Sequence, residues 1–448
     1  MSIGKASLVP LCVVLLLVVA TTPAWANVYA SGLSQTGINS MTYILNENAD
    51  SGVTVEMWEV GGGMVYSENL GAQAKGTQSW TWNGTGYVGG NQYTARVVAS
   101  DNGYMTWTQI NTDATPTSFY FPCGVSVNTN QTSPNFGKIY VSESQGGLTV
   151  FGRTVSSGIY MLNADASDDG YANGGKDWAA AGTLAPWKST IGPDDHLYVT
   201  DYSNDLAFEF SGDMSTATQL IDGTNKTAGQ YVEGIHVDGT GASRDLYLVN
   251  SHYLDGRRGM IKYDIGVGPT VATNDTGTQY IGPGYFAFYP RDVARDSSGD
   301  WYMNNFRSTA GQAPPVMKFT DAAPPINVAA WEASSAYTGA YGIDIYEPRG
   351  WIAYGGYYNG YVYVFDMATG AYITEFDAGS RIREVAFDAA GNIVTVDNST
   401  EWARIWSPGV GGNSFTTESY FTMVIPEPTS LSALLLGLPV LLFRRRRK

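Results

Sequence analysis

Cysteine and histidine are nearly missing from this chain. Of its 448 residues, two are cysteine and three are histidine. Cys12 precedes most of an N-terminal apolar run, whereas a lipidated cysteine follows such a run. If that leader is removed, Cys123 is alone and no intrachain disulfide can form, so stability has to come from burial. Cys123 follows Phe119-Tyr120-Phe121-Pro122 with no basic neighbour, the setting of a buried thiol and not of a nucleophile. His196, His236 and His252 have no acid or nucleophile at a telling spacing, so the sequence assigns no catalytic residue. His236 falls in an expected innermost strand and is the first of the three to test. Positive charge is scarce too. Setting aside Lys5, Glu427 and the five basic residues at the C-terminus leaves 19 basic and 40 acidic residues in the body, about −21 net. Such a surface repels nucleic acid and suits an exported, soluble body. Outside the two ends no long stretch has helical periodicity.

The ends carry the apolar runs. Lys5, the run 8–20 and the small–x–small triplet Ala24-Trp25-Ala26 read as a signal peptide over 1–26, with signal peptidase leaving Asn27 first. The alternative is a retained anchor, for which the run is short against the roughly 20 residues of a span. At the other end Pro426-Glu427-Pro428 leads into an uncharged stretch, 431–443, closed by Arg444, Arg445, Arg446, Arg447 and Lys448. A stretch of this length only just crosses a bilayer, and the basic cluster keeps its end cytoplasmic. The transmembrane helix so read places the body on the other side.

That order, over 425–448, resembles the PEP-CTERM sorting signal. The resemblance implies an exosortase as processing partner, removal of the tail and transient inner-membrane anchoring. It also implies a Gram-negative bacterium that makes extracellular polysaccharide, with delivery to the outer surface or matrix. A plain anchor without processing is the alternative.

The body is all-β. Val53-Thr54-Val55-Glu56-Met57-Trp58 and Tyr361-Val362-Tyr363-Val364-Phe365 alternate at period 2, bounded by Gly, Asn and Asp. Residues 27–102 predict a compact sandwich. Its succession of an apolar strand, a V-x-V strand, a Gly61-Gly62-Gly63 turn, Trp82-Asn83-Gly84 and Gly90-Asn91-Gln92-Tyr93 resembles the Ig-like domain of the flagellar hook-capping protein FlgD. Asn83 stands where that family often has Asp. The resemblance implies a spacer or docking module.

Residues 103–424 carry a repeat of about six copies, 40 to 60 residues apart. In each, an apolar strand and a Gly/Asp turn precede a strand such as Ile139-Tyr140-Val141, Leu197-Tyr198-Val199, Leu246-Tyr247-Leu248 or Trp301-Tyr302-Met303, and an aromatic strand follows. That length suits a four-stranded blade and predicts a six-bladed β-propeller, with 415–424 as its last outer strand. The copies resemble NHL-type repeats, best at 388–397.

Two candidate sites follow. Glu143, Asp201, Asn250, Asn304 and Asp397 occupy equivalent positions after the second strand and are candidates for a Ca²⁺ site at a channel mouth; the bland reading is turn capping. Asp165, Ser167 and Asp169, with Gly170 sixth, match the start of a Ca²⁺ loop, although Lys176 stands twelfth and Asp177 one place late. No cofactor is certain, and Ca²⁺ is the one candidate. Tyr285-Phe286 and Tyr357-Tyr358 can stack on sugars if exposed, or fill blade cores. The leading expectation is a non-catalytic scaffold binding polysaccharide or surface proteins. The alternative is a lactonase- or lyase-like propeller enzyme with a metal in its channel. An acid and Asn cluster converging on one mouth with a bound metal would favour the enzyme, and a channel lined by unmatched or apolar residues the scaffold.

Overall fold

In the computed structural model, the described residues are 27–423 without 183, 223–230, 252–255, 267–271, 274–276, 283–284, 287–288, 307–312, 335–338 and 410–413. The signal segment with Ala24 and Ala26, the sorting motif and His252 lie outside them. Among the described residues no helix is long and apolar enough to cross a membrane.

Two sheets form the N-terminal unit. Ala30–Gln35, Ser40–Leu45 and Gly76–Thr81 make one; Met64–Gln73, Ala49–Glu59 and Tyr93–Ser100 lie in the other. Alternation sets the core: Tyr93, Ala95, Val97 and Ala99 turn inward onto Val53, Val55, Met57, Met41, Tyr43 and Leu45. Trp82 closes one end edge-on to Tyr93, ring centres 5.0 Å apart.

Ser414–Met423 corrects the expectation for the last strand. It pairs antiparallel with Tyr93–Ser100, so it completes the sandwich and not the propeller. The chain therefore runs from sandwich to propeller and back. Thr417 ties the two sheets: its hydroxyl donates to the Ala30 carbonyl at 2.7 Å and accepts the Ala30 N–H at 3.2 Å.

Among the described residues, six further four-stranded sheets follow one another along the chain. Their first strands are Pro122–Val127, Ser189–Ile191, Val232–Asp238, Val293–Arg295, Ala340–Tyr346 and Ile382–Phe387. Each packs against the next, and the last returns to the first, closing a ring. The ring is a β-propeller. The outer place in the sixth sheet is taken by Thr108–Gln109, from the N-terminal side, paired with Trp406 and Ser407. Arg404 holds this closure by a forked pair to Asp113 at 2.9 and 2.7 Å.

The repeated triplet explains the packing. In each second strand the first residue, and in most copies the third, faces the preceding sheet, while the middle residue faces the following one. Ile139 and Val141 pack toward the sixth sheet, Tyr140 toward the second. Tyr198, Tyr247 and Tyr302 likewise enter the cores shared with the third, fourth and fifth sheets. Ala353 and Val394 hold the same place in the last two copies. Buried on both faces, these strands read as unbroken apolar runs.

Replacing Thr417 with Val should strand the Ala30 backbone groups and cost about 1–3 kcal/mol. Denaturant unfolding checks this; an unchanged midpoint would contradict the C-terminal strand's place in the sandwich.

Candidate functional site: the propeller axis and its two mouths

Six positions meet at the axis, one from each inner strand or the residue just before it. In ring order they are Gly124, Lys188, Gly234, Asp292, Gly342 and Glu384. Glycine alternates with charge. A Cβ on Gly234 would come within 2.6 Å of Asp292 Oδ1, and one on Gly342 or Gly124 would overlap Glu384 Oε1 or the Trp187 carbonyl. The three long side chains fit because their neighbours have none.

Lys188 is 1% exposed. Its Nζ donates to Glu384 Oε2 and to the Arg383 carbonyl at 2.9 Å, and lies 3.4 Å from Asp292 Oδ2. Asp292 also accepts the Ile343 N–H at 3.1 Å, and Glu384 accepts that of Val385 at 3.1 Å. Burial and the nearby Asp292 raise the Glu384 carboxyl well above its ordinary range, against the pull of Lys188. A second pair, Glu233 with Arg291, lies beside it, with Trp187 Nε1 donating to Glu233 at 2.8 Å.

One mouth is aromatic. The Arg383 guanidinium sits among four rings: Tyr341 at 4.6 Å, Tyr357 at 4.7 Å, Trp187 at 5.3 Å and Phe121 at 5.6 Å. Its Nε and Nη2 donate to Asn398 Oδ1 at 2.8 and 3.0 Å when that amide turns its oxygen toward them. Arg381 lies 5.6 Å from the Tyr357 ring. Among the described residues neither arginine has a carboxylate within ion-pair distance. Tyr202 and Tyr231 stack at 5.0 Å, and Tyr358, half exposed, stacks on Phe306 at 5.3 Å.

The other mouth is a polar funnel of about 1030 Å³, walled by all six inner strands through residues such as Ser126, Thr190, His236, Arg295, Asp344 and Phe387. Burial and then Arg295 lower His236 to about 4, so it is neutral at pH 7. Its ring meets the edge of Trp301 at 5.3 Å. Burial lifts Asp344 to about 7 although it accepts N–H bonds from Phe387 at 2.7 Å and Ile345 at 2.8 Å.

The acids and amides expected at a mouth do something else. Glu143 accepts the N–H groups of Tyr120 and Phe121 at 2.8 and 2.7 Å. Asn304 accepts those of Arg291 and Asp292 at 3.0 and 2.9 Å; Asn250 accepts Tyr231's at 3.3 Å. Asp397 takes those of Ser380, Ser399 and Thr400, and Asp201 that of Asn204 at 3.1 Å. They are buried clamps, most of them on the chain entering an inner strand.

Asp165 accepts from Ser167, backbone at 2.9 Å and hydroxyl at 2.6 Å, while Asp169 pairs with Lys138 at 2.9 Å. The loop closes as a turn into the strand Asp168–Ala172, with these oxygens engaged by protein donors. His196 Nδ1 lies 2.6 Å from Glu209 Oε1, and with Asp194 they form the one three-ligand group among the described residues. Arg244 already faces both acids there, at 2.8 and 3.3 Å. Cys123 is fully buried, and burial pushes its thiol up to about 12, an inert group. Tyr285 and Phe286 join the core between the third and fourth sheets, whereas Tyr357 and Tyr358 stand at the aromatic mouth. Sequence reasoning missed Lys188, Arg291, Asp292, Arg383 and Glu384. For four of them the signal was there: Arg291, Asp292, Arg383 and Glu384 are charges set at the start of an apolar inner strand.

No protein-family description matches the chain, and no curated protein matches it. Similar solved structures include a structural genomics protein of unknown function from Bacteroides thetaiotaomicron, with 10% identity, a TM-score of 0.45 and coverage of 87% of this chain and 98% of that one. Virginiamycin B lyase from Staphylococcus aureus has 12% identity and a TM-score of 0.36, covering 70% and 99%. The WD40 β-propeller domain of Doa1 has 10% identity and a TM-score of 0.42, covering 69% and 97%. None bears on chemistry, and the propeller is read from the ring of sheets itself.

A carboxyl raised on folding binds a proton the unfolded chain has lost. Its stabilisation is therefore full below about pH 4 and is lost as pH rises toward 7. Asp344 keeps a face to the funnel, so its slope should fall short of about 1.4 kcal/mol per pH unit. Urea unfolding from pH 4 to 8 should show a shallower decline in Asp344→Asn than in wild type. Parallel curves would contradict the burial of this carboxyl.

Proposed function

We propose that this is an exported surface or matrix protein, sorted by an exosortase-type system, that acts as a non-catalytic binding scaffold. The six sheets are the blades of a six-bladed, NHL-like propeller, and the sandwich is a FlgD-like Ig module that spaces it. The aromatic mouth is the binding face, and its ligand is a carboxylate-bearing polysaccharide. Sugar rings stack on tyrosine and tryptophan faces, and a carboxylate meets the guanidinium groups. The observation that carries this reading is Arg383, caged by four rings and facing no acid among the described residues, on a body that is otherwise strongly acidic. The ends of the chain support delivery across the membrane: a signal segment, then Pro-Glu-Pro, apolar stretch and arginines.

The enzymatic alternative needs a metal on the axis. Lys188 Nζ stands there against both carboxylates, so the chain's own ammonium fills the role of the cation. His236 is neutral and edge-on to an indole, and among the described residues no carboxylate lies within ion-pair distance to make it a base in that reading.

Calorimetric titration of the secreted protein with a polyuronate and with a neutral glucan tests the binding face. The polyuronate should bind, the glucan more weakly, and Arg383→Gln or Tyr357→Ala should each weaken polyuronate binding at least tenfold. Unchanged affinity in both variants would contradict the mouth. Mass spectrometry of cell fractions tests the sorting. A tail intact through Arg447 on protein in the cytosol would overturn it.

A further inference from the structure

Between the sandwich and the sixth blade lies a joint that buries more acid than base. Glu47, Asp101 and Asp388 are 2%, 6% and 3% exposed; burial, then Asp101, and to a lesser degree Asp388 raise the Glu47 carboxyl, against the Tyr104 hydroxyl that donates to its Oε2 at 2.9 Å. Lys75 is the cation nearby, and its Nζ is bound to the Ile110 carbonyl at 2.9 Å. Three buried oxygens in the joint have no donor: Glu47 Oε1, Asn27 Oδ1 and Asn392 Oδ1. Unmet buried acceptors are costly, and three gathered beside buried carboxyls mark a place for a cation with several N–H or metal contacts.

Asn27 sits in this joint, fully buried. Its carbonyl accepts from Asn392 Nδ2 at 2.8 Å and Asn46 Nδ2 at 2.9 Å, and its own Nδ2 donates to the Pro408 carbonyl at 3.3 Å. Asn46, next to Glu47, also accepts the Tyr29 N–H at 2.8 Å. Both walls of the joint, blade and sandwich, therefore grip one residue. It is the residue that cleavage after Ala26 leaves first.

We infer that the joint is an ammonium site whose ligand is the chain's own α-amino group. Hydrolysis of the Ala26–Asn27 peptide bond adds water across it: Ala26 leaves with the carboxylate, and the amine on Asn27 takes a proton from solvent. The product brings one positive charge and three N–H donors to a site with three unmet oxygens beside buried carboxyls. The uncleaved chain brings an amide there, with one donor and no charge. Removal of the signal thereby completes the contact between sandwich and propeller. The inference rests on the signal-cleavage reading.

The test compares two full-length bodies, one beginning at Asn27 and one with a single Ala before it, each with and without Glu47→Gln. In the processed form, removing the carboxylate should lower the melting temperature by several degrees, because the ammonium loses its partner. In the extended form the same substitution should raise it, because an uncompensated buried acid is removed. Effects of the same sign in both would overturn the site. If the extended chain does not fold, the pH dependence of α-amine acylation in the processed form decides. The α-amine should titrate about one unit higher in wild type than in Glu47→Gln, a tenfold shift, and equal titration would overturn the site. The mature N-terminus, read by mass spectrometry, separates the two failures. A start other than Asn27 sinks the cleavage reading, whereas a start at Asn27 with same-sign effects sinks the ammonium site alone.

Discussion

Around the propeller axis, alternate positions give up their side chains so that the others can meet. Gly124, Gly234 and Gly342 leave the space into which Lys188, Asp292 and Glu384 converge. An added methyl group at any of the three would collide with a neighbour's backbone or carboxylate. Desolvating three charges costs a great deal, and their mutual attraction with added backbone hydrogen bonds offsets it only in this geometry. The network links the second, fourth and sixth sheets directly, whereas polar pairs such as Glu233 with Arg291 and Glu209 with Arg244 join only neighbouring sheets, and so it acts as a register device across the ring.

An axis filled by its own side chains keeps the two mouths chemically apart. One presents rings and guanidinium groups; the other is an oxygen-rich funnel. The difference begins in the inner strands. Their starting residues supply Trp187, Arg291, Tyr341 and Arg383, while their later residues supply Ser126, Thr190, His236 and Asp344. Loop chemistry then adds to each end: Tyr202 and Tyr357 on the aromatic side, Asn130 and Glu347 on the polar side. The proposed scaffold function belongs to the first mouth, where stacking surface and positive charge coincide.

Much of this was legible in the residues. The triplets at 139–141, 197–199, 246–248 and 301–303 announced the blades, and the structure adds why the middle tyrosine recurs: it fills the seam with the next sheet. The acids and amides ending those strands were visible, but their direction was not. Glu143 and Asn304 point back to backbone N–H groups, which no spacing can distinguish from pointing into a channel. Thr108–Gln109, two residues long, has no pattern to detect, so the closing strand was sought at the wrong end of the repeat. Lys188 was missed because a single lysine in a polar stretch reads as solvated. Only the ring brings it to Asp292 and Glu384, more than 100 residues away.

On the axis the Lys188 ammonium stands where a metal would have to bind, against Asp292 and Glu384. A crystal structure of the mature protein grown with millimolar terbium, with anomalous data collected, tests it most directly. No anomalous peak is expected on the axis, with Lys188 Nζ held against Glu384 and Asp292. A terbium peak bound by those two carboxylates, with the lysine turned away, would contradict it.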